Sequence, residues 1–238
     1  MDPYLSILIP LGCYCLGALS FARIAVRIFA KEKDIENIQI RIPGTNQSMR
    51  YESLGASAAG LILGRKAGIL IGILDMLKVI LPALLLRIYF PDQPEAMLLG
   101  VAAVTLGHVF PVWYRFKGGG GYSTIFGGLL IISPIGALVC SIGGMALGIL
   151  VFRSFPLFYA LQLLLIIPWM AFRFGQPAYI LFAVAVNILF FLSWIPAARA
   201  ALKAKKPDHP PTLREMMQEY PMGAALIVWL EKIHFKID

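Results

Sequence analysis

Charged residues are scarce in this chain of 238 residues: they make up 14 % of it, against roughly 25 % in soluble globular domains. Hydrophobic residues make up 59 %, above the roughly 45–50 % that is usual in such domains. A soluble globule of this size could not bury so much apolar surface, and the same composition excludes a disordered chain. Three cysteines are too few for a disulfide-stapled secreted module. The composition therefore predicts an all-α, polytopic membrane protein.

Several signatures of known chemistry are also missing. No Cys/His cluster indicates zinc, and no aspartate-rich motif indicates a magnesium–diphosphate site, so we expect no metal and no cofactor. No Gly-x-Ser-x-Gly nucleophile elbow is present. His108 is followed five positions later by Trp113, which excludes the usual His-x4-Asp acyltransferase signature. The cysteines fall inside apolar segments, where we expect them to pack in the core.

The net charge is +8, which in a soluble protein would suggest a nucleic-acid partner. Here the 21 lysines and arginines lie mostly between apolar segments. That pattern is typical of cytoplasmic loops and of attraction to anionic lipid. We therefore expect contact with membrane lipid, no nucleic-acid partner, and a multi-pass protein of the cell membrane.

Apolar segments long enough to cross a membrane recur along the chain. The segment at 122–152 is interrupted by Ser133 and Pro134. Reading it as two short helices places the basic loops on one side of the membrane. The sequence thus predicts about seven transmembrane helices, with the N-terminus outside and the C-terminus in the cytoplasm. The predicted spans are 4–22, 67–88, 96–112, the pair within 122–152, 155–172 and 178–196.

Two segments outside the spans have patterns of their own. Residues 31–52 form the longest polar loop, in which 38–42 alternates like a short strand and 43–46 is typical of a turn. We assign residues 1–206 to a seven-span domain and residues 207–238 to a linker and an amphipathic helix. The apolar run of that helix, predicted within 212–237, is too short to cross a membrane, so we expect it to lie in the interface.

Residues 107–124 combine a histidine, two cations and four consecutive glycines at the start of a membrane helix. Glycines let backbone N–H groups approach an anion, and a helix N-terminus adds positive potential. These residues predict a phosphate cradle that faces the cytoplasm, with a flexible interfacial loop as the alternative. The candidate phosphate contacts are Arg115, Gly118, Gly119, Gly120, Gly121 and Thr124.

Three polar residues lie in or beside the predicted membrane helices. His108 could act as a general base or contact a phosphate, or it could be a hydrogen-bonded packing residue. Asp75 and Lys78 are three residues apart and therefore share one face of a helix. Because isolated charges in lipid are costly, both should face the bundle and could pair. They form either a polar wall of the substrate site or a structural ion pair.

Two motifs resemble those of the bacterial acyl-phosphate:glycerol-3-phosphate acyltransferases, the PlsY type. One is Gly107-His108-x-Phe110-Pro111 followed by Phe116-Lys117-Gly118-Gly119-x-Gly121-x-x-Thr124. The other is Leu63-Gly64-Arg65-Lys66-Ala67-Gly68 followed by Leu74-Asp75-Met76-Leu77-Lys78. The resemblance implies a seven-span enzyme that moves a fatty acyl group from acyl phosphate to glycerol 3-phosphate. The product would be lysophosphatidic acid, used in phospholipid synthesis.

The resemblance also implies catalytic roles for His108, Lys117 and Ser53. The family has an arginine that this chain lacks, and Arg50, nearby in the sequence, could substitute for it. Departures from the family pattern keep two alternatives open: a relative that binds lipid or phosphate without transfer, and a small membrane transporter. Relative to that pattern, Gly120 replaces a lysine, Leu61 an arginine, Tyr51 a serine, and Ser53 and Ala58 two asparagines, while residues 196–203 lack the polar residues of its third motif.

Overall fold

The computed structural model describes residues 3–42, 45, 47–203, 211–218 and 221–232. The chain is nearly all helical, as the composition predicts. The helices are α1 (Pro3–Gly17), α2 (Phe21–Phe29), α3 (Ala56–Leu63), α4 (Arg65–Tyr89), α5 (Pro94–Val109), α6 (Tyr122–Ile132), α7 (Pro134–Met145, continued by a π-helical turn, Ala146–Val151), α8 (Phe155–Phe174), α9 (Pro177–Lys203), α10 (Leu213–Gln218) and α11 (Pro221–Lys232).

Six helical segments of the described chain are long and apolar enough to cross a membrane: Pro3–Phe29, Arg65–Tyr89, Pro94–Tyr114, Pro134–Val151, Phe155–Phe174 and Pro177–Ala200. The seventh predicted span corresponds to α6, which is apolar but only 11 residues long. The break within 122–152 falls where the sequence places it. Pro134 cannot donate to the preceding turn, and the Ser133 hydroxyl accepts the N–H of Gly136 at 3.3 Å and caps α7. The orientation of the termini stays a prediction.

The loop at 31–52 contains the strand that its alternation predicts. Strand β1 (Gln39–Arg41) pairs antiparallel with β2 (Ser48–Arg50), in the register Ile40 opposite Met49. Of the predicted turn at 43–46, only Thr45 lies within the described residues, and its hydroxyl donates to the carbonyl of Ile42 at 2.9 Å. Arg50 ends β2, and the segment after it leads into α3.

Helix α5 lies at the centre of the bundle. In the apolar 18-residue stretch of this candidate span, 67 % is buried, against 22–33 % in the other five candidate spans. Its apolar side chains join those of α4, α6, α8 and α9 in one continuous core. Cys13 and Cys140 are buried as predicted, whereas Cys15 is exposed on α1, because the outer face of that helix is not covered by protein.

Helices α1 and α5 cross in direct backbone contact. A Cβ added to Gly17 would lie 2.1 Å from the carbonyl oxygen of Val104, and one added to Gly107 would lie 2.1 Å from that of Tyr14. Small residues at such crossings let membrane helices approach closely. The close approach brings the end of α1 beside α4 and α5, where the polar residues of the bundle meet.

The C-terminal segment folds back on itself and packs on the bundle. Arg214 on α10 and Glu231 on α11 form an ion pair of 2.8 Å, although 17 residues of continuous helix would separate them by about 26 Å. The prediction of a single helix within 212–237 is therefore wrong, because the structure has two helices there. Residues 207–210 of the predicted linker lie outside the described residues, and the division at residue 206 stays a prediction.

Buried apolar residues of both helices contact α8 and the π-helical turn: Leu213, Met217, Ile227 and Leu230 pack with Ile149 and Phe155.

Substitution of Gly17 by alanine tests the α1–α5 contact. In an open helical position this change stabilises by roughly 0.5–1 kcal/mol, but at Gly17 the new Cβ would collide with the backbone of α5. We expect Gly17→Ala to lower the Tm of the detergent-solubilised protein. Gly12→Ala on the same helix is the matched control, because a Cβ there meets nothing within 4 Å. Equal Tm values for the two variants would contradict the proposed contact.

Candidate functional site

Three polar residues meet inside the bundle. Asp75 and Lys78 extend from α4, and the Lys78 Nζ lies 2.9 Å from the Asp75 Oδ1 with both side chains 2 % exposed. His108, near the end of α5, places its Nδ1 at 2.9 Å from the same Nζ and at 3.6 Å from the Asp75 Oδ1. The two charges therefore pair and face the bundle, as their helical spacing suggests.

The Lys78 ammonium also holds the end of α1. Its Nζ donates to the carbonyls of Gly17 at 3.1 Å and Leu19 at 2.9 Å. With Asp75 ionised, the group carries no net charge, which lowers the cost of its burial. Removing one member of such a pair typically costs about 3–5 kcal/mol, because the partner stays buried without compensation.

With Lys78 protonated, the same contacts favour one tautomer of His108. An ammonium group has only hydrogens to offer, so the Nδ1 of His108 accepts a hydrogen bond from Lys78. The proton of the neutral imidazole is then on Nε2. His108 consequently presents a hydrogen-bond donor, rather than a base, on the side of the ring away from Lys78.

That side of the ring lies under the glycine loop (Lys117–Gly121). The N–H of Gly119 donates to the carbonyl of His108 at 3.0 Å. A Cβ on Gly119 would lie 2.2 Å from the His108 Nε2, and one on Gly118 would lie 2.1 Å from the His108 carbonyl oxygen. These glycines therefore permit close packing on His108, and the loop is held by backbone bonds rather than being a flexible linker.

The segment after β2 runs beside the loop. The N–H of Leu54 donates to the carbonyl of Gly118 at 2.9 Å. The Cβ position of Gly55 lies 3.3 Å from the Gly119 Cα, and that of Gly120 lies 3.2 Å from the Ser53 Oγ. From α9, the Ser193 hydroxyl reaches the carbonyl of Gly120 at 3.3 Å. The structure thus brings Ser53, the glycine loop and His108 together, and their catalytic roles stay a prediction.

Three cations surround one carboxylate at the edge of the loop; we call these four residues the Glu36 cluster. Arg23 donates through Nη1 to the Glu36 Oε1 at 2.6 Å and through Nη2 to the carbonyl of Lys117 at 2.9 Å. The Lys117 Nζ lies 3.5 Å and the Arg50 Nη2 3.8 Å from the Glu36 Oε2. The bond from Arg23 and the nearby charges of Arg23 and Lys117 lower the pKa of Glu36. Its ion pairs therefore persist above its ordinary pKa and are lost as the pH falls through the lowered value.

Two predicted phosphate contacts are placed differently from the rest. Arg115 is exposed on the turn before the loop, with a left-handed φ of 52°. Thr124 is fully buried, and its hydroxyl donates to the carbonyl of Gly121 at 2.8 Å. As placed, Thr124 fixes the turn from the loop into α6. A role of either residue in binding phosphate stays a prediction.

Two of the positions that depart from the family pattern are core positions here. Tyr51 is 8 % exposed and Ala58 is fully buried, and both pack with Val26 and Leu54 in an apolar cluster under the hairpin. Leu61 is 38 % exposed on α3. Tyr51 and Ala58 therefore contribute to packing beneath the hairpin.

Sequence reasoning misses Arg23 and Glu36. Arg23 looks like a charge that ends the first span, and Glu36 like an isolated acid in a basic loop. The only signal is that Arg23 falls on the polar face of α2, whose Ala22 and Val26 are buried. Their meeting with Lys117, 94 residues from Arg23 along the chain, depends on tertiary packing.

Fold and site together define an integral membrane protein with a buried polar network beneath a glycine-rich loop. A family model for glycerol-3-phosphate acyltransferase matches residues 7–203, and the chain belongs to that family. The glycerol-3-phosphate acyltransferase of Myxococcus xanthus is 32 % identical over 138 residues, which are 58 % of this chain and 65 % of the relative. Glycerol-3-phosphate acyltransferase 2 of Bacillus anthracis is 37 % identical over 126 residues, or 53 % and 59 % of the two chains.

These two matches span about three fifths of the length of each relative. A solved structure of PlsY, an integral membrane glycerol 3-phosphate acyltransferase in its glycerol 3-phosphate form, has a similar fold. It superposes with a TM-score of 0.68 at 24 % identity, over 82 % of this chain and 91 % of PlsY. A second structure, the lysophosphatidic acid form, gives a TM-score of 0.65 at 23 % identity. At this level of identity the likeness concerns the fold alone.

Neighbouring glycines test the packing of the loop on His108. Gly119→Ala would force its Cβ to 2.2 Å from the His108 Nε2, whereas Gly120→Ala would place it 3.2 Å from the Ser53 hydroxyl, which can shift slightly. We expect Gly119→Ala to lower the Tm clearly more than Gly120→Ala does. Overpacking typically costs about 1–3 kcal/mol in free energy of unfolding. Equal losses in thermal unfolding would show that the loop does not rest on His108.

Proposed function

We propose that this protein is an acyltransferase of the cell membrane whose active face is cytoplasmic. It moves a fatty acyl group from acyl phosphate to glycerol 3-phosphate and forms lysophosphatidic acid for phospholipid synthesis. The observation that carries the proposal is the position of His108, which contacts Asp75 and Lys78 and lies beneath the glycine loop. Family membership supports the reaction class, and the relatives named above are glycerol-3-phosphate acyltransferases.

The reaction needs little from the protein beyond position and charge. The hydroxyl oxygen of the acceptor bonds to the acyl carbon while the bond from that carbon to the phosphate oxygen breaks. The hydroxyl proton can leave with the phosphate, so no protein base and no covalent intermediate is required. Binding both substrates in one place supplies proximity, and donors aimed at the developing negative charge stabilise the transition state.

The site offers such donors at its cytoplasmic end. The Nε2 of His108 lies against Gly119 and Gly55, where it can donate to a phosphate oxygen or to the oxyanion on the acyl carbon. Lys117 and Arg50 bring positive charge to the edge of the loop. Ser53 adds a hydroxyl beside Gly120. Gly118, Gly120 and Gly121, together with Arg115 and Thr124, complete the proposed phosphate contacts, while Gly119 holds the loop on His108 through its N–H.

One observation favours a second candidate, a relative that binds phosphate-bearing lipid without transfer. Tyr51 and Ala58, at positions where the resemblance expects polar groups, are packed in the apolar cluster under the hairpin. Gly120 likewise carries no cation. If the missing groups are needed for the chemical step, the site would keep its affinity for phosphate and lose turnover.

Phosphate release from a long-chain acyl phosphate, measured with and without glycerol 3-phosphate, separates the two candidates. We expect release that depends on the acceptor. We also expect Lys117→Ala to lower kcat/KM at least tenfold, because the loop would lose the positive charge at its first residue. Lys33→Ala is the matched control, since Lys33 contacts the carbonyl of Ile62 on α3 rather than the Glu36 cluster.

His108→Ala should abolish release in a folded protein. Unchanged turnover in both His108→Ala and Lys117→Ala would refute the assigned site. Binding of acyl phosphate by folded wild-type protein, with no release in the presence of acceptor, would favour the second candidate.

A further inference from the structure

The Glu36 cluster is unbalanced in charge. Among the described residues, Glu36 is the one carboxylate within ion-pair distance of Arg23, Arg50 or Lys117. A single negative charge therefore faces three positive ones at the edge of the glycine loop. An excess of cations beside a glycine loop favours a further anion.

The three cations hold Glu36 unequally. Arg23 contacts Oε1 at 2.6 Å and is 12 % exposed, which is the geometry of a tight charge-assisted hydrogen bond. Lys117 and Arg50 share Oε2 at 3.5 and 3.8 Å and are 51 % and 37 % exposed. Their contacts are longer than the roughly 2.7–2.9 Å of such bonds, so these two cations hold Glu36 less tightly than Arg23 does.

Arg23 also fixes the backbone from which Lys117 extends. It donates to the carbonyl of Lys117 at 2.9 Å, and its guanidinium lies 4.5 Å from the centroid of the Tyr114 ring. The backbone of Lys117 is therefore anchored while its side chain is half exposed. Such a side chain can leave Glu36 and turn toward the loop without moving the loop.

We propose that Glu36 competes with a terminal phosphate group for Lys117 and Arg50, and that Arg23 is the positioning residue that keeps Glu36 and the Lys117 backbone in place. This rests on the proposed function, in which those two cations bind substrate phosphate. When the phosphate binds, its oxygens take Lys117 and Arg50 at hydrogen-bond distance, and Glu36 stays with Arg23. A singly charged ligand gains little from displacing a carboxylate, so the competition selects for a phosphate dianion.

The dianion has two possible sources with the same chemistry: the soluble acceptor, glycerol 3-phosphate, and the lipid donor, acyl phosphate. The test measures binding without turnover, by isothermal titration calorimetry of the 238-residue protein in nanodiscs. Glycerol 3-phosphate and inorganic phosphate probe the soluble source, and dodecyl phosphate probes the lipid source. The arm in which affinity responds to Glu36 identifies the source.

We expect Glu36→Gln to lower the Kd for one of these probes by roughly three- to tenfold, because Lys117 and Arg50 lose their internal competitor. Asp34→Asn is the matched control: it removes the same charge two residues away, and Asp34 accepts the N–H of Glu36 at 2.8 Å rather than contacting the cations. Asparagine keeps that capping bond. Glu36→Asp, which retains the charge but withdraws it by one methylene, should give a smaller gain and serves if Glu36→Gln fails to fold.

Unchanged or weaker binding in both folded Glu36 variants, with wild-type binding intact, would overturn this proposal and leave the proposed function standing. Equal tightening by Asp34→Asn and Glu36→Gln would also overturn it, because the effect would then be one of net charge. Wild-type protein that binds none of the three probes would overturn both.

Discussion

A lysine ammonium buried in the membrane bundle organises this protein. Lys78 forms an ion pair with Asp75 on its own helix and hydrogen bonds with His108 on α5 and with two carbonyls at the end of α1. A charge in this environment is tolerated only when its partners are all in place. The pair therefore fixes α1, α4 and α5 relative to each other. It also orients the His108 ring so that Nε2 lies toward the loop.

The site builds outward from that network in layers. His108 supports the glycine loop, the loop supports the segment that carries Ser53, and Arg23 holds the loop at its edge through the Lys117 carbonyl. The glycines have a packing role that precedes any role in binding, because a side chain at Gly118 or Gly119 would collide with His108. Preorganised donors of this kind act on developing charge without reorganising during the reaction.

Much of the architecture could be predicted from composition and local pattern. Apolar runs locate the spans, the Ser133-Pro134 pair locates the break between α6 and α7, and alternation locates strand β1. These signals are local, and burial in lipid leaves the chain few alternatives to helices. The spacing of Asp75 and Lys78 likewise predicts one shared, inward face.

What could not be predicted depends on long-range packing. No local pattern places Arg23 against Glu36 and Lys117, or turns Tyr51 and Ala58 into core residues beneath the hairpin. The reversal of the C-terminal segment into α10 and α11 also rests on distant contacts with Ile149 and Phe155. The sequence does not choose between base, phosphate contact and packing residue for His108, because the tautomer depends on Lys78, 30 residues away.

The protonation of His108 tests the central claim most directly. The protein has three histidines, so ¹⁵N NMR of histidine-labelled protein in nanodiscs, with His108→Gln to assign the signal, can resolve this ring. At neutral pH we expect a neutral imidazole with the proton on Nε2 and an unprotonated, hydrogen-bonded Nδ1. A proton on Nδ1, or a doubly protonated ring, would contradict the account, because Lys78 could not then donate to His108 and the donor face beneath the loop would not be set by the buried pair.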